Sequence, residues 1–493
     1  MRLRVYLVIL ATLALIGCSE EDGLNYSPGL EYDYAPPVIG GAADTTQQEQ
    51  YLDYIENSFI STTDEPISTF SIDADGGSYA NVRRYLSDGQ LPPKGAVRLE
   101  EFINYFPYDY EHTGSAPVAL NGEVSSYPWT PGNRLIRVGI QGQKIAASDL
   151  PPSNLVFLID VSGSMSQELP LVKHGLELLV NQLGASDRIA LATYAGSSQL
   201  VLPSTACSEK STILAAIESL ESGGGTNGSA GIETAYEIAT ENFITGGNNR
   251  VLLVSDGDFN IGTTSRDELI ALIEEKRETG VYLTVVGTGT GNYNEALAEQ
   301  LANKGNGTYE YLDSERQAQK IFVDEFSKFY TVAEDVKVQV EFNPAVVQSY
   351  RLLGYENRLL STEDFEDDGE DAGEIGANQS ITALYEIVPT TTPNQSNAPT
   401  FTIDFRYKLP GSESSLPMSL TVQNTYTSFA DASRNMRFAA TAAGFGMQLI
   451  DSQYDGNLTY DDLIEWSSTT GSYDPQQLHG EFVSLLEQAR DLQ

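Results

Sequence analysis

The feature that most constrains the fold is a regular alternation of short apolar runs and amphipathic segments across residues 154–329. Residues 155–159 form a continuous apolar run, which is typical of a strand buried on both faces of a parallel sheet. The segment after it places an apolar residue at every third or fourth position from Val172 to Leu183, the spacing of an amphipathic helix. Repeated strand–helix units predict an α/β fold, a doubly wound and mainly parallel sheet with helices on both faces.

The rest of this segment repeats the pattern, with turn signals between the elements. Further strands are predicted at residues 189–194, 199–202, 251–254, 281–286 and 309–312. Further helices are predicted at residues 211–220, 231–243, 266–278, 296–303 and 316–329. We therefore expect residues 149–332 to form one α/β domain.

The regions on either side of this domain have a different pattern. Before it, two short helices are predicted at residues 78–86 and 98–106, and strands at 119–125 and 135–140. After it, apolar and polar residues alternate with a period of two, predicting strands at 336–342, 380–388, 400–407 and 419–424. Helical patterns follow at 436–450 and 460–492. Because strand-rich segments bracket the α/β domain, we hypothesise that they pair, which would make that domain an insertion in a β-sandwich.

The N-terminus has the charge and apolar pattern of a secretory signal. Arg2 and Arg4 precede an apolar run over residues 5–16, which is too short for a comfortable membrane span. The run ends in Leu-Ile-Gly-Cys, and this ending resembles the lipobox of bacterial lipoproteins. The resemblance implies that Cys18 is lipidated and becomes the mature N-terminus. The alternative is an ordinary secretory signal with an incidental cysteine.

The chain is thus expected to contain six consecutive regions. They are a lipoprotein signal peptide (1–18), a flexible tether (19–50), an N-terminal flanking region (51–148), the α/β domain (149–332), a β-rich region (333–430) and a C-terminal helical region (431–493). Beyond the signal, no run approaches the roughly 18 apolar residues of a membrane-spanning helix, so no spanning segment is expected. The second cysteine, Cys207, is left as a structural thiol.

Charge and motif content exclude some classes of function. The 69 acidic residues outnumber the 28 basic ones, giving a formal net charge of −41, which argues against binding to nucleic acid. The three histidines are scattered, and neither a nucleophile elbow nor a phosphate-binding loop occurs. We therefore expect a protein that is not an enzyme, and the sequence gives no sign of a small-molecule substrate.

Three polar segments stand out because each is expected to lie at a strand end of the predicted α/β domain. Residues 160–164 read Asp-Val-Ser-Gly-Ser, residues 223–227 read Gly-Gly-Gly-Thr-Asn, and residues 256–258 read Asp-Gly-Asp. In a doubly wound sheet, ligands bind in the crevice outside the carboxyl ends of the strands. Residues far apart in sequence are therefore expected to meet there.

These segments resemble the three loops of the metal-ion-dependent adhesion site of von Willebrand factor type A domains. Further stretches resemble bacterial YfbK-like lipoproteins, at residues 71–86, 91–110, 248–262, 354–360 and 371–388. The resemblance extends from about residue 51 to the C-terminus. It implies a von Willebrand A-like domain whose metal ligands are Asp160, Ser162, Ser164, Thr226 and Asp256.

The donor types fit the ligand set that the resemblance implies. Oxygen donors without thiolate or imidazole suit Mg²⁺ best, with Mn²⁺ or Ca²⁺ as alternatives. The resemblance implies that the hydroxyls bind directly and the carboxylates bind directly or through water. The metal is then left able to bind an acidic side chain of a partner protein. The remaining alternative is that these are turn residues of a metal-free domain.

Together these observations predict a lipid-anchored protein of the bacterial cell envelope, at the outer membrane, that binds a partner protein through its metal site. Whether it faces the periplasm or the cell surface is left open. One alternative is a structural component of the envelope whose metal only stabilises the fold. Another is an unrecognised hydrolase with its chemistry in the C-terminal region.

Overall fold

The structure is a computed structural model. It describes residues 51, 55–72, 75–223, 229–257, 266–290, 294–369, 372–391, 398–470 and 473–493. The predicted signal peptide and tether lie outside the described residues, and so does Cys18. All of the described residues belong to one compact unit, Gln47–Gln493.

The described strands and helices are numbered in chain order. The strands are β1 (Ile60–Ser61), β2 (Ile67–Ser71), β3 (Val118–Ser126), β4 (Arg134–Gly142), β5 (Ser153–Asp160), β6 (Arg188–Tyr194), β7 (Ser198–Ala206), β8 (Asn248–Ser255), β9 (Tyr282–Thr288), β10 (Tyr309–Leu312), β11 (Thr331–Phe342), β12 (Val347–Leu353), β13 (Gly373–Gly376), β14 (Ser380–Pro389), β15 (Pro399–Lys408) and β16 (Leu416–Gln423). The helices are α1 (Gly77–Ser87), α2 (Leu99–Asn104), α3 (Leu169–Gln182), α4 (Lys210–Glu218), α5 (Ser229–Glu241), α6 (Arg266–Arg277), α7 (Glu295–Lys304), α8 (Glu315–Gln319), α9 (Arg434–Ile450), α10 (Tyr460–Thr469) and α11 (His479–Leu492).

The central domain is a six-stranded sheet in the order β10-β9-β8-β5-β6-β7. Its strands are parallel, except that β7 runs antiparallel to β6. Helices α3 and α4 pack on one face, where Leu176 and Ile213 join the core. Helices α5, α6 and α7 pack on the other face, where Ala235, Ile273 and Leu301 are buried. This arrangement confirms the predicted doubly wound α/β fold, with strands buried on both faces.

The helix predicted at residues 316–329 is wrong in detail. Helix α8 ends at Gln319 and continues as a π-helical turn over Lys320–Asp324 and a 3₁₀ turn over Phe326–Phe329. The Glu325 N–H donates to the carbonyl of Lys320, 2.9 Å away, a spacing of five residues. The wider turn places the buried Lys320 ammonium against the half-buried Glu325 carboxylate, two charges that a regular helix would separate.

The strands that flank the α/β domain form a two-sheet sandwich. One sheet has the order β1-β12-β14-β4-β3, and the other contains β13, β11, β15 and β16, with β2 also paired to β11. The antiparallel pairing of β4 with β14 joins residues before the α/β domain to residues after it, which confirms the hypothesis of an insertion. Phe342 of β11 stacks on Tyr350 of β12 with ring centroids 4.2 Å apart, one of the contacts between the sheets.

A layer of helices covers the outer face of the first sheet. Helices α1 and α2 share an apolar cluster with α9, α10 and α11, in which aromatic rings are prominent. The cluster also includes Leu135, Leu353 and Leu384, which point outward from the sandwich. The helical stretch predicted at 460–492 is divided between α10 and α11. Among the described residues, no helix has the length and apolar character needed to cross a membrane.

The candidate metal centre

The first and third predicted loops begin at adjacent strand ends because β5 pairs in parallel with β8, whereas the second follows helix α4 and not a strand, contrary to the prediction. Ile159 is level with Val254, so the next residues, Asp160 and Ser255, lie side by side at the carboxyl edge. On the other side, Asp160 is level with Tyr194, the last residue of β6. Parallel pairing therefore brings Asp160 to the middle of this edge, with Asp256 one residue beyond Ser255.

The first loop turns back directly after Asp160. The Ser162 N–H donates to Asp160 Oδ1 over 2.8 Å, and a 3₁₀ turn follows over Gly163–Ser166. This turn brings the hydroxyl oxygens of Ser162 and Ser164 to within 3.0 Å of each other. Met165 is fully buried and fixes the turn to the core. The two predicted hydroxyl ligands thus form a pair beside the Asp160 carboxylate, and the Ser162 N–H holds that carboxylate through Oδ1.

The second loop is tied to the first. The Gly223 N–H donates to the carbonyl of Val161 over 2.7 Å, so the glycine run begins beside the first loop. Helix α5 begins at Ser229, and its Gly231 packs so closely that an added Cβ would lie 3.0 Å from Tyr194 Cβ. Thr226 lies outside the described residues, so its role as a ligand stays a prediction.

The third loop carries the second carboxylate. Asp256 is 5% exposed, and Gly257 after it has a φ of +79°, which glycine adopts without strain. The Gly257 N–H donates to Ser255 Oγ over 3.2 Å, and Ser255 Oγ in turn lies 3.5 Å from Asp160 Oδ2. Four of the five predicted ligands are therefore placed at one edge of the sheet.

Burial at this edge raises the pKa of two side chains, Asp160 and Tyr194. Asp160 is fully buried, and burial, with a further contribution from Asp256, raises the pKa of its carboxyl to about 6. Burial also raises the pKa of the Tyr194 hydroxyl, and the Asp160 charge adds to this rise. Within the described parts of the chain, Asp160 forms no ion pair with a basic side chain. A buried carboxylate without a cationic partner is costly, so a bound cation would suit this position.

The donor set also fits a hard cation. Carboxylate and hydroxyl oxygens are the ligands that Mg²⁺ and Ca²⁺ prefer. The described residues contain no group of three or more carboxylate, imidazole or thiol side chains able to hold a metal. A metal at the edge of this sheet would therefore depend on the hydroxyls of Ser162 and Ser164 as well as on Asp160 and Asp256.

Sequence reasoning missed several residues around these loops. Ser255 and Tyr194 end strands that adjoin β5, and neither was among the predicted ligands, although Ser255 begins the Ser-Asp-Gly-Asp motif of the third loop. Gly289 has a φ of +80°, and a Cβ on it would lie 3.2 Å from Asp256 Cβ and 3.4 Å from Glu168 Cγ. In the sequence these residues are marked only by their positions near the ends of strands. Such positions identify neighbours of Asp160 only when the order of the strands is known.

The remaining cysteine has no place at this edge. Cys207 is a free, buried thiol at the end of β7, and burial raises its pKa to about 11. A thiol that stays protonated at neutral pH is a poor nucleophile and a poor metal ligand. Its predicted role as a structural thiol agrees with these properties.

Comparison with known proteins assigns the chain to a family. Residues 154–324 match the model of the von Willebrand factor type A domain, residues 45–137 match a model named von Willebrand factor, and residues 327–492 match that of the C-terminal region of the uncharacterized protein YfbK. The uncharacterized protein YfbK of Escherichia coli (strain K12) is 41% identical over 471 residues, covering 89% of this chain and 81% of that protein.

Solved structures give more distant matches. A von Willebrand factor type A protein from Catenulispora acidiphila is 14% identical with a TM-score of 0.43, over 77% of this chain and 91% of its own. The conserved hypothetical protein BatB from Bacteroides thetaiotaomicron is 23% identical with a TM-score of 0.30, over 36% of this chain and 98% of its own. By its identity to YfbK and the three matching models, the chain belongs to the YfbK family of proteins with a von Willebrand factor type A domain.

Proposed function

We propose that this protein is anchored by lipid in the bacterial cell envelope and binds a partner protein through a divalent cation. The cation would be held by Asp160, Ser162, Ser164, Thr226 and Asp256, with Mg²⁺ the best match to these donors. The observation that carries the proposal is the pairing of two hydroxyls, 3.0 Å apart, beside the buried carboxylate of Asp160.

The chain's own residues account for how such a site would select its partner. The hydroxyls of Ser162 and Ser164 are neutral donors, so they do not cancel the charge of a cation. Asp160 is fully buried and held through Oδ1 by the Ser162 N–H, so it cannot turn outward to cover the site. Asp160 and Asp256 would balance the two charges of Mg²⁺ without exceeding them, so the cation could still accept an anionic ligand. The matching group on a partner is a carboxylate.

The envelope location rests on the sequence before the folded unit. An apolar run after two arginines and the Leu-Ile-Gly-Cys ending are typical of a lipoprotein signal, with Cys18 as the lipidated residue. A residue that carries several acyl chains anchors a protein stably, whereas one chain alone is marginal. The outer membrane is the proposed location.

The metal site is tested by titrating Mg²⁺ into the purified protein in a calorimeter. Wild type is expected to bind, and Asp160→Ala to lose binding by at least about tenfold, because the variant removes a buried ligand and its charge. Asp149→Ala is the matched control, since Asp149 is exposed and lies outside the loops. Ser162→Ala with Ser164→Ala keeps both carboxylates and guards against a folding defect in Asp160→Ala. The site would be refuted if Asp160→Ala and the double serine variant bound Mg²⁺ as well as wild type, or if wild type did not bind it.

Partner binding is tested by crosslinking in native membranes, with and without a chelator. Capture that disappears with chelator, and in Asp160→Ala, supports metal-mediated binding. Capture that survives the chelator while the metal still raises thermal stability favours the structural alternative. Turnover of a hydrolase substrate would favour the enzyme alternative.

The lipid anchor is tested by cell fractionation. The Cys18→Ser variant is expected to be lost from the membrane fraction, and its retention there would refute the lipid anchor.

A further inference from the structure

We propose that Tyr194 and Ser255 are positioning residues that orient Asp160 Oδ2 for metal binding. The inference rests on the proposed function, because it concerns the same metal site. Neither residue is a predicted ligand, and strand pairing brings both to Asp160: Tyr194 from β6 and Ser255 from β8.

The Tyr194 hydroxyl provides the first observation. The residue is 1% exposed, and its hydroxyl has no hydrogen-bond partner within the part of the chain that the structure describes. It nevertheless interacts with the Asp160 carboxylate and the Ser255 hydroxyl. Buried polar groups are nearly always hydrogen-bonded, so this buried hydroxyl requires a partner.

Ser255 provides the second observation. It is fully buried, and its oxygen accepts the Gly257 N–H over 3.2 Å, which leaves its own proton to donate. The nearest acceptor is Asp160 Oδ2 at 3.5 Å, a contact at the limit of a hydrogen bond. Asp160 Oδ1 is already held by the Ser162 N–H over 2.8 Å. Ser255 is therefore placed to donate to the oxygen that lacks a short bond, and Tyr194, level with Asp160 on the neighbouring strand, carries a second hydroxyl that interacts with the same carboxylate.

The consequence concerns the orientation of the carboxylate. Oδ1 has a short hydrogen bond and Oδ2 only a long one, so the orientation of the carboxylate plane depends on the donors available to Oδ2. Donors that approach Oδ2 from the two adjacent strands would fix that plane. Groups that orient a metal-binding side chain in this way commonly change metal affinity by about 10- to 100-fold when they are removed.

A second buried tyrosine offers a matched control. Tyr236 on α5 is also 1% exposed, and its hydroxyl also has no hydrogen-bond partner among the described residues. The charged groups that act on it are Arg250 and Arg277, not the carboxylates of the metal site. Tyr236→Phe therefore reproduces the loss of a buried hydroxyl in the same domain, away from Asp160.

The experiment measures the dissociation constant for Mg²⁺ by calorimetry in wild type, Tyr194→Phe, Ser255→Ala and Tyr236→Phe. We expect a weakening of about tenfold or more for Tyr194→Phe and Ser255→Ala, and no change for Tyr236→Phe. The unfolding midpoint in chelator is recorded for each variant, because a packing defect lowers it whether or not metal is present. Ser255→Thr, which keeps a hydroxyl, is expected to restore affinity relative to Ser255→Ala.

The outcomes separate this inference from the proposed function. If wild type binds no Mg²⁺, the proposed function fails and the inference fails with it. If wild type binds and Tyr194→Phe and Ser255→Ala bind equally well, the inference alone is overturned. It is also overturned if Tyr236→Phe weakens binding to the same extent, since the effect would then come from packing. Weakened binding in Tyr194→Phe and Ser255→Ala, with an unchanged midpoint in chelator, supports it.

Discussion

Single residues decide how closely the backbone segments of this fold approach one another. Gly307 precedes β10, and a Cβ on it would lie 1.7 Å from the carbonyl oxygen of Leu283 in β9. No real Cβ approaches a backbone oxygen so closely, so the strand or the turn would have to move. Gly480 in α11 is the opposite case, because nothing lies within 4 Å of the position of its Cβ.

We predict opposite effects for alanine at these two glycines. Gly307→Ala should lower the free energy of unfolding by about 1–3 kcal/mol, because the core cannot accept the methyl group without displacement. Gly480→Ala should leave it unchanged or raise it by up to about 1 kcal/mol, because alanine favours the helix. Urea unfolding of both variants measures the difference, and a Gly307→Ala variant as stable as wild type would contradict the prediction.

At the scale of elements, helix α2 carries two buried carboxylates that accept backbone N–H groups from other segments, one from the turn after β12 and one from α1. Glu100 Oε2 accepts the N–H of Tyr355 over 3.1 Å, and Glu101 Oε2 accepts the N–H of Ser78 over 2.6 Å. Burial raises the pKa of both carboxyls. Burial, and then the charge of Glu100, also raises the pKa of the neighbouring Glu356 to about 8.

This cluster predicts that stability falls as pH rises. A carboxyl with a pKa of about 8 in the folded protein and 4.5 when unfolded holds its proton more tightly in the folded state. Between those values the free energy of unfolding should therefore decrease, by at most about 1.4 kcal/mol per pH unit for one such group. Glu356→Gln removes one titrating group and should make the decrease shallower. Urea unfolding at several pH values checks this, and an unchanged slope in the variant would refute it.

At the scale of the whole molecule, regions that are far apart in sequence are joined by one buried arginine. Arg83 of α1 contacts Asp313, after β10, at 2.5 Å and Glu481 of α11 at 2.9 Å. It also donates to the hydroxyl of Tyr105 and the side-chain oxygen of Gln317. The N-terminal flank, the α/β domain and the C-terminal helices therefore meet at a single guanidinium group.

Removing this guanidinium should be strongly destabilising. Arg83→Met leaves Asp313 buried without its partner, and breaking a buried ion pair from one side typically costs about 3–5 kcal/mol. Arg490→Met is the control, because the Arg490 ion pair with Asp461 lies on the surface, where such pairs contribute about 0–1 kcal/mol. Thermal and urea unfolding measure both. A loss for Arg83→Met no larger than that for Arg490→Met would contradict the prediction.

The sequence by itself determined the α/β domain and the positions of its ligand candidates. Apolar periodicity is a local property, and polar residues that follow a buried run, such as Asp160 and Asp256, can be recognised without the fold. Tertiary structure decided which strands are neighbours. Strand order placed Tyr194 and Ser255 beside Asp160, and the pairing of β4 with β14 closed the sandwich around the insertion. Such pairing depends on contacts between residues distant in sequence, which local periodicity does not specify. The π-helical turn that replaces the regular helix expected at Lys320 pairs Lys320 with Glu325, and apolar periodicity does not distinguish the two kinds of turn.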